Sequence, residues 1–116
     1  MAKPRVLADR LRDRVDLMRL VSADNGNGGS SETWQPIAAA VQAEVIGLTG
    51  TEAVREKVLR GIRVYQITTR WREDLQPKDQ LRFGDEDLNV RSAIDPLGRR
   101  DRLVIIADTE GAEKTQ

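Results

Sequence analysis

The 116-residue sequence contains no cysteine and no histidine. It therefore lacks the usual ligands of zinc and other transition metals, the cysteine and serine–histidine nucleophile systems, and disulfide bonds. Aromatic residues make up only 3% of the chain, and no apolar run approaches the ~20 residues of a membrane-spanning helix. Basic and acidic residues balance at 19 each, so the positive field typical of nucleic-acid-binding proteins is missing too. These absences predict a protein with no cofactor, no metal site, no membrane segment and no recognisable catalytic group.

The length predicts a single domain, residues 1–116, because a chain of this size buries roughly two-thirds of its unfolded surface and folds without metals or disulfides. The N-terminus leads into a series of arginines rather than an apolar segment with a small-residue cleavage site, so no secretion signal is indicated. We therefore expect synthesis in the cytoplasm, and flexible ends at 1–6 and 111–116.

The first half of the chain predicts two strands separated by a loop. Residues 5–13 could form a short amphipathic turn, and the alternation from Arg14 to Leu20 predicts a strand with one solvated face. Residues 22–32 are so rich in glycine, asparagine and serine that we expect a long flexible loop. Apolar residues at odd positions then predict a long second strand over 37–48.

The second half predicts a short helix and four further strands. Thr49 or Thr51 can cap a helix that begins at Glu52, and β-branched and aromatic residues predict a strand over 62–71. An acidic turn joins two short strands in a hairpin over 80–94, and a Pro-Gly turn precedes the last strand, 101–107. About six strands with one short helix predict a mainly β protein, a small antiparallel β-barrel or sandwich.

The zero net charge conceals local charge clusters. Two are basic and one is acidic, and solvated turns are the ordinary explanation of such groups. The alternative is a head-to-tail ring, in which a basic edge of one subunit meets an acidic edge of the next. The candidate ring-interface charges are Arg10, Arg12, Arg14, Asp85, Glu86, Asp87, Arg99, Arg100 and Arg102.

Other patterns do not point to chemistry. The glycine-rich segment over 26–29 lacks the lysine of a phosphate loop and the spacing of a dinucleotide motif. The acidic residues 85–87 lack the spaced ligands of a calcium loop. Trp71 and Phe83 at strand ends are interpreted as core anchors rather than stacking platforms for bases.

The order of short motifs resembles one family, the head–tail joining proteins of long-tailed phages, also called head-completion or stopper proteins. The resemblance spans roughly residues 7–110, although Gln42 stands where an aromatic is common and Gly47 where a proline often occurs. Its motifs are Leu11-Arg12-Asp13-Arg14-Val15, Thr33-Trp34, Ala43-Glu44-Val45, Leu48-Thr49-Gly50-Thr51-Glu52, Ile67-Thr68-Thr69-Arg70-Trp71, Leu88-Asn89-Val90 and Ile94-Asp95-Pro96-Leu97-Gly98-Arg99-Arg100.

This resemblance implies a small β-barrel with a short helix in a sixfold or twelvefold ring at the head–tail interface of a virion. Such a ring closes the packaged head, with portal and adaptor proteins on one side, the tail terminator or tail tube on the other, and double-stranded DNA in its channel. A loop from each subunit could close that channel or dock on a neighbour. The candidate loop residues are Asp24, Asn25, Gly26, Asn27, Gly28, Gly29, Gly47, Leu48, Thr49 and Gly50.

Three alternatives remain open at the level of sequence. The barrel could be a neighbouring phage part, such as a tail terminator or a minor tail subunit. The arginines at 99, 100 and 102 would suit an oligonucleotide-binding barrel, although the low aromatic content and zero net charge oppose it. An unrecognised enzyme would have to work without histidine, cysteine or a paired-carboxylate motif. Sequence also leaves open whether the particle is an infectious phage, a defective prophage or a gene transfer particle.

Overall fold

The computed structural model describes residues 7–24, 26 and 28–111, and within them it contains six strands and two short helices. The alternation of apolar and polar residues is what makes these segments strands, since it gives each one a buried and a solvated face. In chain order the elements are α1 (Leu7–Arg10), β1 (Asp13–Asp24), β2 (Ser30–Gly47), α2 (Glu52–Leu59), β3 (Val64–Arg70), β4 (Gln80–Phe83), β5 (Glu86–Ile94) and β6 (Arg102–Asp108).

The six strands close into an antiparallel barrel in the order β1-β2-β3-β6-β5-β4. Closure satisfies the hydrogen bonds of the strand edges that an open sheet would expose. The barrel has two ends. The helix end is formed where β2 passes to β3 through α2, where β4 turns into β5, and where β6 finishes. The ribbon end is formed by residues 71–79, residues 95–101 and the outer part of β1 and β2.

The barrel interior is filled by aliphatic side chains from all six strands. Trp71 and Phe83 are partly buried and pack against this core, as their interpretation as core anchors requires. Burial of such apolar groups is the main favourable term in folding. The buried cluster consists of Val15, Leu17, Ala43, Ile67, Leu81, Leu88, Val90, Leu103, Ile105 and Ala107.

The fold confirms the predicted barrel, but the expected long loop over 22–32 is wrong in extent. β1 continues to Asp24 and β2 begins at Ser30, with Ser22 opposite Glu32 and Asp24 opposite Ser30. Polar residues form strands here because two strands that pair with each other satisfy their backbone groups without burying side chains. The connection is therefore short, and Asn25 and Asn27 lie outside the described residues.

Two smaller differences concern the helices and the chain ends. The segment expected to be an amphipathic turn forms α1, so the described residues contain a second helix that the single-helix prediction left out. α2 runs from Glu52 to Leu59 and is capped by Thr51, whose Oγ1 accepts a hydrogen bond from Val54 N. The ends predicted to be flexible, 1–6 and 111–116, lie outside the described residues apart from Gly111.

Candidate functional site

A largely exposed two-stranded ribbon extends from the barrel; we define it as Arg19–Asp24 of β1 paired with Ser30–Gln35 of β2. β4 pairs with β1 only as far as Met18, and β3 pairs with β2 only from Ala43 onward. The backbone ladder of the ribbon therefore joins its two strands only to each other, and the ribbon extends beyond the barrel. The longest dimension is 65 Å, against 33 and 25 Å for the other two axes.

The tip of the ribbon is a tight glycine-rich turn. Asp24 Oδ1 accepts a hydrogen bond from Gly26 N at 3.0 Å, which folds the chain back on itself. Gly26 and Gly28 have φ values of +82° and +77°, which side chains with a Cβ atom rarely adopt. Gly26 and Gly28 thus serve the turn geometry.

A bulge at the base of the ribbon sets the direction in which it leaves the barrel. The β1–β2 register shifts on both sides of Leu17, and Ala40 adopts φ +53° on the facing strand. Asp16 Oδ1 accepts a hydrogen bond from Ala40 N at 2.8 Å, so a side chain replaces the missing ladder partner. Bulges of this kind bend a strand and increase its twist.

An ion pair fastens the ribbon base to the barrel. Asp79 is buried and its carboxylate accepts hydrogen bonds from Arg19 Nε at 2.9 Å and Arg19 Nη2 at 2.8 Å. Arg19 Nη2 also donates to Asp74 O at 2.6 Å, and Gln76 N donates to Asp79 Oδ2 at 2.8 Å. Arg19 therefore links the first residue of the ribbon to the connection between β3 and β4.

The second candidate loop, Gly47–Gly50, lies at the helix end. Leu48 N donates to Val64 O at 2.9 Å, so this segment extends the β2–β3 pairing rather than projecting freely. Together with α2 it borders a cavity of about 300 Å³, which we call the apolar groove. Its lining includes the side chains of Leu48, Val58, Ile62, Val64 and Tyr65.

A buried carboxylate holds α2 against the barrel. Asp108 is fully buried and accepts hydrogen bonds from Lys57 Nζ at 2.8 Å, Arg91 Nε at 3.0 Å, Arg91 Nη2 at 2.9 Å and Glu110 N at 3.0 Å. Glu110 adds ion pairs to Lys57 and Arg60 at 3.7 and 3.1 Å. α2 has no buried residue of its own, so these charged contacts rather than apolar burial fix its position.

The electrostatics of this network favour an ionised Asp108. Burial alone would raise the pKa of Asp108, but the hydrogen bonds from Arg91 and Lys57 outweigh it and hold that pKa below its usual value. The same contact raises the pKa of Arg91. The group is therefore a charged structural connection between α2, β5 and β6.

The acidic residues Asp85, Glu86 and Asp87, where the chain turns into β5, are largely engaged within the molecule. Glu86 accepts hydrogen bonds from the Tyr65 hydroxyl at 3.0 and 3.2 Å and pairs with Arg63 at 3.0 Å. Burial and this contact with Glu86 both raise the pKa of Tyr65. Asp87 is half-buried and also has a partner within the chain, whereas Asp85 is exposed. Of the three predicted interface acids, Asp85 alone is both exposed and without a partner among the described residues.

The first basic cluster is also engaged internally. Arg10 Nη2 and Nε donate to the two carboxylate oxygens of Glu44 at 2.6 and 3.2 Å, which ties α1 to β2. Arg12 Nε donates to Asp9 O at 3.0 Å, and Arg14 Nη1 donates to Asp13 O at 3.1 Å. Arg12 and Arg14 remain exposed.

The second basic cluster forms an exposed turn at the ribbon end. Arg100 has φ +56°, donates from its backbone N to Asp95 Oδ2 at 2.8 Å, and places its guanidinium 5.8 Å from the centre of the Trp71 ring. Arg102 is half-buried, and its Nε lies 3.7 Å from Asp101 Oδ2. Arg99 is exposed.

The structure separates the acidic residues 85–87 from the second basic cluster, and the two candidate loops from each other. The acidic residues lie at the start of β5 and the basic turn follows its end, so about 27 Å of strand separates them. The ribbon tip and the Gly47–Gly50 segment likewise lie at opposite ends of the barrel. These residues therefore form two separate surfaces.

Sequence reasoning did not single out Arg19, Asp79, Lys57 or Asp108. Alternation along β6 places Asp108 on the outer face of the barrel, where a carboxylate is ordinarily exposed. It is buried because α2 and Arg91 cover it, and no local pattern signals that contact. The sequence weakly indicates a structural role for Asp79, because an aspartate directly before a strand can accept a hydrogen bond from the backbone of the preceding turn, here from Gln76 N.

The described residues offer little for metal or membrane binding. Acidic side chains in 7–24, 26 and 28–111 do not gather in a group of three that could hold a metal ion. Neither helix in those ranges has the length and apolar character needed to cross a membrane.

A family model and two solved structures are similar to this chain over almost its whole length. The family model described as phage head completion protein matches residues 6–110. A solution structure of a protein from Shigella flexneri 2a has a TM-score of 0.67 and 24% identity, covering 94% of this chain and all of the other. A chain in the virion of a native gene transfer agent particle has a TM-score of 0.64 and 20% identity, covering 96% of this chain and all of the other. These two likenesses show the fold. No curated protein matches the sequence.

Proposed function

This chain belongs to the phage head completion protein family, and from that premise we propose that several copies form a ring that closes a DNA-filled capsid. Membership makes it a structural protein that joins head and tail and a component of the virion. The ring, its sixfold or twelvefold symmetry, and the passage of double-stranded DNA through it are the proposed part.

The ribbon is the observation that supports this role most directly. It projects beyond the barrel, exposes most of its side chains, and forms its backbone ladder only within itself, while the Arg19 side chain at its base binds Asp79. A two-stranded ribbon alone is marginally stable, so contact with another surface is favourable. A part that joins two assemblies needs an element that reaches past its own core.

We propose the ribbon tip rather than Gly47–Gly50 as the element that closes the channel. Leu48 is tied to Val64 by a backbone hydrogen bond, whereas the tip lies at the opposite end of the barrel, where Gly26 and Gly28 have positive φ values. Several tips converging on one axis would block it by occlusion, and small contacts at each copy would add through the ring. This function requires no catalytic group.

The proposed partners follow from position. Portal or adaptor proteins would contact the ring on the head side, and a tail terminator or tail tube on the tail side. The particle would be assembled in a bacterial cytoplasm. The fold likeness to a chain of a gene transfer agent virion makes such a particle as suitable a setting as an infectious phage.

Electron microscopy of particles from cells lacking this gene tests the joining role. We expect tailless heads that have lost their DNA, alongside finished free tails. Intact, full, tailed particles would contradict the role.

A shortened-ribbon variant tests the closing element. Replacing Val21–Thr33 by Asn-Gly retains the Arg19–Gln35 and Leu20–Trp34 pairs and supplies a two-residue hairpin turn. We expect this variant to fold and enter particles whose heads leak DNA, while Leu48→Ala particles remain full. Full heads with the shortened ribbon would refute the assignment of the tip.

A further inference from the structure

α2 is attached to the barrel without a packed apolar interface. The helix has no buried residue, and Val58 and Leu59 on its last turn are 40% and 83% exposed. Val58 lines the apolar groove together with Leu48, Ile62 and Val64, so a cavity of about 300 Å³ beside the helix is left unfilled by side chains. Burial of apolar surface therefore contributes little to holding α2 in place.

Charged contacts hold α2 instead. Lys57 Nζ donates to Asp108 Oδ2 at 2.8 Å and lies 3.7 Å from Glu110 Oε1, while Arg60 Nη2 lies 3.1 Å from Glu110 Oε2. The side chains of Arg60 and Glu110 are both exposed, and a pair of this kind stabilises little. The contact between Lys57 and the fully buried carboxylate of Asp108 is therefore the main attachment of the helix.

Asp108 keeps a second cation that does not belong to α2. Arg91 of β5 donates to Asp108 Oδ1 from Nε and Nη2 at 3.0 and 2.9 Å, whereas Lys57 uses the other oxygen, Oδ2. Glu110 N also donates to Oδ1, at 3.0 Å. Departure of Lys57 would therefore leave Asp108 ion-paired, which avoids the large penalty of an unpaired buried charge.

The connections of α2 allow it to move without the barrel. Leu48 N donates to Val64 O at 2.9 Å, so a backbone hydrogen bond already joins the two ends of the segment that carries the helix. Gly50 precedes α2, and Gly61, with φ +82°, follows it. Residues at the ends of an element, often small ones, commonly act as hinges. Residues 49–61 can thus change position while the β2–β3 ladder stays intact.

We propose that residues 49–61 form a lid, which opens as a unit when Lys57 leaves Asp108, while the barrel remains folded and Arg91 stays bound to Asp108. Local openings that need less free energy than global unfolding occur where apolar contacts are few. The open lid uncovers Leu48 and Ile62, so the lid controls access to the apolar groove. This inference concerns a single subunit and does not depend on the proposed ring.

Native-state amide hydrogen exchange of the wild-type chain in low concentrations of urea is the first test. A detached helix of eight residues does not persist in water, so opening exposes the amides of α2 and that of Ile62, which donates to Lys57 O at 2.9 Å. We expect these amides to exchange faster than the slowest amides of β3 and β6.

The urea dependence distinguishes a local opening from global unfolding. The lid exposes little surface when it opens, so urea should barely change the exchange rates of α2, whereas the rates of the slowest β3 and β6 amides should rise steeply. If the α2 amides share the rates and the urea dependence of the barrel, then α2 opens only by global unfolding and the lid is overturned.

Lys57→Met and Arg91→Met form a matched pair, because each removes one cation from Asp108 and leaves an unbranched side chain. Both should accelerate the barrel amides, since both lower the free energy of global unfolding. Lys57→Met removes a contact that only the closed lid contains, so it should also accelerate α2 exchange about tenfold, the equivalent of one charge-assisted hydrogen bond.

Arg91→Met should act differently on the lid. Its contact with Asp108 is present in the closed and the open lid, so α2 should exchange no faster than in wild type. Acceleration of α2 together with the barrel in Arg91→Met would overturn the lid. Lys78→Met, at an exposed lysine, should change neither region. If either variant fails to fold, the urea dependence of the wild-type chain decides. None of these results bears on whether particles need this chain to join heads and tails, so the proposed function is tested separately.

Discussion

Replacing Asp108 by asparagine removes the charge that holds α2 on the barrel while preserving the size of the side chain. Asp108 is fully buried and accepts three hydrogen bonds from Lys57 and Arg91 at 2.8–3.0 Å. Asparagine can accept only some of these hydrogen bonds, because its amide nitrogen is a donor and would face the two cations. The change therefore leaves the two cations without a negatively charged partner.

The expected cost is about 3 kcal/mol of unfolding free energy. Removing one partner of a buried ion pair costs about 3–5 kcal/mol. The lower end applies because the Lys57 and Arg91 side chains are 29% and 39% exposed and regain water. For a chain of this length 3 kcal/mol corresponds to a decrease of about 12 °C in the unfolding temperature.

Thermal unfolding followed by circular dichroism measures this decrease. The matched control is Asp101→Asn, which alters a carboxylate that is 44% exposed and 3.7 Å from Arg102, and it should shift the transition by less than about 2 °C. If Asp108→Asn unfolds within 2 °C of wild type, then the network does not contribute to stability as described.

The pH dependence of the unfolding free energy tests whether ionised Asp108 stabilises the folded state. Because Lys57 and Arg91 hold the pKa of Asp108 below its ordinary value despite burial, the folded state binds the proton less readily than the unfolded state. The stabilisation is therefore present above about pH 4 and is lost as pH falls through the lower folded pKa. Wild type should lose stability more steeply than Asp108→Asn below pH 4, and parallel curves would contradict this explanation.

Three further changes test the base of the ribbon and the core. Ala40→Gly should raise the unfolding free energy by about 0.5–1 kcal/mol because glycine adopts φ +53° without strain, whereas Ala39→Gly should lower it. If calorimetry shows that both substitutions change the unfolding free energy in the same direction, the backbone at Ala40 is not strained. Arg19→Met should accelerate amide hydrogen exchange in residues 71–79 and at the ribbon base, while Arg14→Met, at an exposed arginine of the same strand, should not. Equal exchange in both variants would mean that Arg19 does not fasten the ribbon. Trp71→Ala should lower the unfolding free energy by about 2–3 kcal/mol, less than at a fully buried tryptophan because the ring is only partly buried. An unchanged urea unfolding curve would show that Trp71 does not contribute to the core.

The barrel could be predicted from sequence because its strands carry their signal locally. The alternation of Val15 and Leu17, and of Leu103, Ile105 and Ala107, already separates buried from exposed faces. The turns were recognisable from Gly84 and from the Pro-Gly signature before β6 for the same reason, since each is fixed by its own few residues.

The ribbon could not be predicted because its stability does not come from burial. Ser22, Glu32 and their neighbours carry no apolar pattern, and their strand structure follows from pairing between two segments that are each featureless. Likewise, Asp108 becomes buried only through α2, and Arg19 meets Asp79 across 60 positions of sequence. Contacts of this kind depend on the assembled fold.

The continuity of β1 and β2 between barrel and ribbon determines how the molecule responds to mechanical load. A pull or push at the ribbon tip is transmitted along the strand axes and meets the barrel where β1 pairs with β4 over Asp16–Met18 and β2 pairs with β3 over Ala43–Gly47. These ladders are loaded in shear, so their hydrogen bonds share the force and must break together rather than one after another. A subunit that keeps its shape when its longest element is strained is suited to a joint that must bear force.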